Sequence, residues 1–173
     1  LDRTVTGVWL WRRALSGSLA RQDEARAALL MRDRVRFLNR YFAVVVADLG
    51  AGMHGAVNRT MLADSHTVVL TGTATVDGVL GAEAALRRLG DDHGPELLGR
   101  SLLVLSLPVP GPLGVDVPRA VARLERAGAP VVLLPYDRHL ALGGAIDPRR
   151  IGAATRAAGL RIAATVMDRA VRA

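Results

Sequence analysis

The residues best placed to do chemistry sit where apolar runs stop. Asp48 closes the run 43–47 and is followed by Leu49-Gly50-Ala51-Gly52; three further runs end in Thr71-Gly72-Thr73, Ser106-Leu107-Pro108 and Pro135-Tyr136-Asp137-Arg138-His139. A carboxylate at a strand end can meet Mg²⁺ directly or through water, and glycines beside it let backbone N–H groups approach phosphate. An Asp after an apolar strand is equally at home as a turn or helix N-cap residue. The residues alone leave both readings of Asp48 open.

Other chemistries are poorly served. The four histidines (54, 66, 93 and 139) are isolated and lack H-E-x-x-H spacing. Arg138 and His139 read as a solvated turn or helix entry, since no third metal ligand is implied nearby. Ser16-Gly17-Ser18 is not a G-x-S-x-G elbow and reads as the cap of the following helix. The chain has no cysteine, which removes disulfides, thiolate catalysis and sulfur-based zinc sites. All 23 basic residues are Arg. Without Lys there is no Walker A loop, no Schiff base and no Lys general base. Met31, Met53, Met61 and Met167 read as core filler.

The elements that must position these residues alternate in type. Residues 5–11, 43–47, 67–71, 101–106 and 131–134 read as strands. Between them, residues 19–38, 54–63, 76–89 and 116–127 read as helices, the third ending at Gly90 and the fourth capped by Asp116 with Pro118 in its first turn. Asp147-Pro148 opens a closing helical segment that Gly159 splits in two. Uniformly apolar strands interleaved with helices specify an α/β fold, a mostly parallel sheet flanked by helices. The 173 residues, half of them hydrophobic, fit a single α/β domain over residues 1–173, with the Pro/Gly-rich stretch 107–115 as a mobile loop. No apolar run approaches the ~20 residues of a membrane span.

Read in order, these pieces resemble the later half of the MinD/ParA-like P-loop ATPases. The run from Tyr41 and Phe42 through Asp48 to Gly52 is similar to that family's Walker B and switch II strand. Leu62-Ala63-Asp64 with the strand to Thr71 matches a second segment, and Val131 to Asp137 looks like its final strand and P-x-D turn. The resemblance covers roughly residues 37–173. It implies an incomplete Rossmann-like P-loop NTPase fold, with Asp48 as catalytic and metal-binding carboxylate. Gly50 and Gly52 would then lie on the γ-phosphate side, and Ser106, Pro135, Tyr136 and Asp137 on the base side. ATP and Mg²⁺ are the implied cofactors in an intact member. Its function would be that of an ATP-dependent dimerising switch, a bacterial cytoplasmic homodimer acting through a protein partner in positioning, partitioning or secretion-associated processes.

Two departures follow. The Lys-bearing loop is missing, and the chain starts at Leu1 rather than Met, so it reads as a C-terminal portion with a non-native N-terminus that is inactive alone. Where that family has Asn, this chain has Ser106, which cannot offer an amide's paired donor and acceptor. The alternative is a degenerate, non-catalytic interaction module that keeps the fold without binding nucleotide. The formal charge of +7 is explained by a coding bias toward Arg and Ala or by a polyanion partner. Non-specific DNA binding would draw on Arg149, Arg150, Arg156, Arg161, Arg169 and Arg172, of which Arg150, Arg161 and Arg172 fall within roughly 40° on a helical wheel.

Overall fold

Residues 102–106 and 131–134 carry unbroken runs of Leu and Val, which suit strands buried on both faces. In the computed structural model, which describes residues 2–3, 9–10, 21–111 and 114–173, these become β4 (Leu102–Ser106) and β5 (Val131–Leu134) of a three-stranded parallel sheet. Before them come a two-residue antiparallel ladder of β1 (Asp2–Arg3) with β2 (Trp9–Leu10), then α1 (Arg21–Leu38), α2 (Ala56–Ala63), β3 (Val69–Thr73) and α3 (Val76–Arg100). α4 (Val117–Arg126) joins β4 to β5; α5 (Arg138–Ala141), a 3₁₀ turn (Pro148–Arg150) and α6 (Ala153–Val171) complete the chain. The sheet order is β3-β4-β5, with Val69 opposite Leu102 and Leu103 opposite Val131.

Alternation along β4 divides the layers. Leu103 and Leu105 face Val79, Ala82 and Leu86 of α3 and Ala120 and Leu124 of α4. Leu102 and Val104 point to the other face and are buried too, where α6 lies against β4 and β5. Each fully buried leucine contributes about 2 kcal/mol by leaving water. A second cluster of Leu62, Val68, Leu89 and Leu97 takes in Leu49 and Met53. α1 lies on α2, where Arg32 donates to both oxygens of Asp64 at 2.6 and 3.0 Å. The α/β architecture with a parallel sheet and flanking helices is therefore as expected.

Several elements differ from the sequence reading. Residues 43–47 form no strand: Val44 and Val46 are exposed, and no ladder pairs them. Valine favours a pleated, half-buried surface, and here it is offered none. The expected strand 5–11 is described only at Trp9–Leu10; residues 4–8 and 11 lie outside the described residues, as do Ser16-Gly17-Ser18. α3 does not stop at Gly90 but runs to a kink at Gly94 (φ 86°, ψ 165°) followed by Pro95. Gly90 instead makes room for Leu98, whose Cδ2 would stand 3.1 Å from a Cβ there. Gly159 leaves α6 unbroken; the break falls at Ile151 and Gly152. Of the loop 107–115, the described residues are irregular, and 112–113 lie outside them. Met167 is exposed rather than core filler. Asp116 caps α4 as expected, accepting from Arg119 N at 3.1 Å.

Candidate functional site

The parallel sheet brings three strand ends to one edge. At the end of β3, Thr73 Oγ1 lies 3.1 Å from Thr75 Oγ1, and Thr75 caps α3 by accepting from Gly78 N at 3.1 Å. At the end of β4, Ser106 Oγ donates to Gly72 O at 3.1 Å, so this hydroxyl ties β4 to β3. At the end of β5, Leu107 N donates to Leu134 O at 2.9 Å, and half-buried Pro135 and Tyr136 lead to buried Asp137.

Asp137 is the most connected polar group of this edge. Oδ1 accepts from His139 N at 2.8 Å and Leu140 N at 3.3 Å, capping α5. Oδ2 accepts from Gly152 N at 2.8 Å, at the start of α6. These donors, Gly152 first, hold its carboxyl below the usual carboxylate range, and the Thr155 side chain adds to them. One carboxylate thus fastens both ends of residues 138–151, a strap closed again by Asp147 N donating to His139 Nε2 at 2.8 Å. His139 and Arg138 form the helix entry that their types implied, and His139 serves as a hydrogen-bond acceptor. The strap turns at Gly143 and Gly144, both with positive φ, and exposes Leu142 and Ile146 at 71% and 59%. Sequence reasoning missed this clasp, although its signal was present: an Asp two residues before an N–H-rich turn and a Gly at the head of the next helix.

Asp48, Gly50 and Gly52 lie elsewhere. Asp48 is exposed, and its Oδ1 accepts from Gly50 N at 2.9 Å, an Asx turn. Gly50 and Gly52 adopt φ of 70° and 87°, and Asn58 Nδ2 donates to Gly52 O at 2.9 Å. Leu49 and Met53 seat this loop beside Val68, which enters β3, whereas Ser106 and Asp137 stand where strands leave the sheet. No hydrogen bond among the described residues joins the two groups. Among the described residues, no cluster of three or more His, Asp or Glu could hold a metal ion.

The arginines of the last segment are similarly dispersed. Arg149 and Arg150 are exposed on the 3₁₀ turn, and Arg156 donates to Ile151 O at 2.8 Å. Arg169 donates to Gly99 O, and Arg172 pairs with Asp168. Among the described residues, no helix is long and apolar enough to cross a membrane.

Comparison with known proteins redirects the functional reading. No family model matches the chain, and no solved structure does. The ESX-1 secretion-associated protein EspI of Mycobacterium tuberculosis, in two strains, is 31% identical over 132 residues, which is 75% of this chain and 20% of the relative. The chain spans about a fifth of the length of the curated relatives it matches. These findings correct the expected membership of the MinD/ParA-like ATPases, and with it the ATP-dependent dimerising switch and the ATP-binding character inferred from that resemblance. What this chain is similar to is a segment of a secretion-associated protein.

Proposed function

We propose that this chain is an α/β domain of a secretion-associated protein and that it works by docking another protein. The similarity to EspI over three quarters of the chain carries this reading. The shape of the strap supports it: a short loop with both ends pinned by Asp137 presents Leu142 and Ile146 outward. Holding a loop in one conformation before contact lowers the entropy lost on binding. Apolar side chains on such a loop can fill a pocket on a protein partner, with Arg138, Arg149 and Arg150 at its base contributing rim charge.

The test uses the parent protein in its own cell. Replacing the exposed residues 142–146 by a Gly-Ser linker of the same length, or making Leu142→Asp with Ile146→Asp, should lower the amount of secreted protein in the culture medium while the parent's abundance holds. Both substitutions sit on exposed side chains, so the fold is expected to survive them. Unchanged secretion after both would overturn the proposal.

A further inference from the structure

α6 is apolar on two opposite sides. One side is packed: Thr155 and Ala158 are buried against the sheet. The other carries Ala153, Ala157, Leu160, Ala164, Met167 and Val171, every one of them exposed. Leu160, Met167 and Val171 are 69%, 43% and 80% exposed. On a wheel of ~100° per residue these six fall within roughly 80° of one another, and Leu160 points almost directly away from Ala158. Their spacing alternates four and three residues along the whole helix, the repeat that lets one helix seat its side chains between those of another. A helix apolar on both sides needs cover on both sides.

We propose that a second copy of this chain covers this face, α6 lying antiparallel on α6. The flanking charges select both the occupant and the direction. Arg161 follows Leu160 and Asp168 follows Met167, so both stand on the same flank of the seam. In an antiparallel pair that flank meets its own copy, and Arg161 of each chain faces Asp168 of the other. In a parallel pair Arg156 would instead face Arg161, cation against cation. Arg161 has no ion pair among the described residues. Arg172 donates to Asp168 twice, at 3.0 and 2.7 Å, but both bonds fall on Oδ1 and leave Oδ2 to accept from the second copy. The layers are complementary in size too: Leu160 meets Val171 of the other chain, and Ala164 meets Met167, small against large.

One helix pair buries less than the roughly 800 Å² per partner of a standard interface, so dissociation is expected on the order of tens of micromolar. Sedimentation velocity of the 173-residue chain over a concentration series should show a monomer–dimer equilibrium. Leu160→Glu should abolish it without changing the far-UV spectrum, or the urea midpoint measured well below the dissociation constant where both chains are monomeric, because this side chain already faces water in the single chain. Arg161→Glu should weaken association about tenfold, and Arg161→Glu with Asp168→Arg should restore most of it. The absence of cysteine makes cross-linking clean. A mixture of Ala164→Cys and Met167→Cys chains should form the mixed disulfide in preference to either homodisulfide, whereas Ala153→Cys chains should not cross-link. A chain that stays monomeric at ~200 µM, an L160E variant that still dimerises, or a dominant Ala164→Cys homodisulfide each overturns the proposal. Self-association through α6 and the secretion role can fail separately, since one is read from sedimentation and the other from culture medium.

Discussion

Three glycines in helices offer a test of the packing in which one substitution has opposite signs. Gly78 lies in the first turn of α3, directly under the end of β3. A Cβ there would fall well inside contact distance of Thr73 O and Thr73 Oγ1, and 2.9 Å from Thr73 C. The obstacle is backbone, so relief requires moving the turn that carries the 3.1 Å bond from Gly78 N to Thr75 Oγ1. Overpacking of this kind costs about 1–3 kcal/mol and a weakened N-cap about 1 kcal/mol more, against about 1 kcal/mol gained from replacing Gly by Ala in a helix. Gly78→Ala is therefore expected to destabilise by about 1–3 kcal/mol. At Gly81, one turn further along the same helix, and at Gly159 in α6, no atom lies within 4 Å of the added Cβ. There the propensity acts alone, and each Ala should stabilise by about 0.5–1 kcal/mol. With roughly 2–4 °C per kcal/mol for a chain of this size, Gly78→Ala and Gly81→Ala should melt on the order of 10 °C apart. Urea unfolding at 25 °C and calorimetry measure the difference. Equal midpoints for these two variants would show that α3 does not start against Thr73, and the packing described for this edge would be wrong.

Other expectations follow from single contacts. Leu124 is fully buried between α4 and the sheet, and Leu124→Ala should cost about 2–5 kcal/mol in urea unfolding. The lowered pKa of Asp137 means that the folded state binds its proton less readily than the unfolded chain does. Its contribution is thus complete above the unfolded value near 3.8 and is lost as pH falls through the lower folded value. Asp137→Asn should accordingly flatten the acid limb of the stability profile below about pH 4, and an unchanged limb would remove this carboxylate from the account. Asp64→Asn breaks the two-pronged contact with Arg32 that ties α1 to α2. Its cost should be about 0.2–1 kcal/mol and shrink as salt rises, and a salt-independent loss would point to packing instead.

What could be read ahead of the structure tracks how local each cause was. Asp116 with Pro118 two residues on marks a helix start through the chain's own neighbours, and α4 begins there. β4 and β5 needed nothing more than continuous Leu and Val. Residues 43–47 have equally strong β propensity, but a strand also needs a neighbour to complete its ladder, and that is a property of the whole fold. Gly90 misled for a related reason: it reads locally as a stop, while its cause is Leu98, which folds back past the kink to lie against it. The strand-end residues Ser106, Pro135, Tyr136 and Asp137 were legible as an edge because parallel topology gathers strand ends. The remoteness of Asp48 was not, since it follows from where Leu49 and Met53 are buried. The six exposed positions on α6 were written in the sequence as a repeat, but only the fold shows that the opposite side of that helix is already occupied.

The clasp at Asp137 has a consequence for how this chain can change over generations. Because one carboxylate secures both ends of residues 138–151, the intervening strap is mechanically decoupled from the sheet. Its sequence and length can drift, or receive an insertion near Gly143 and Gly144, without shifting β5 or the start of α6. Selection can then rewrite what the strap contacts while the scaffold stays constant. The same decoupling lets the fold tolerate an inserted tag at this turn, provided that Asp137, His139 and Gly152 are left as they are, although such a tag would mask Leu142 and Ile146.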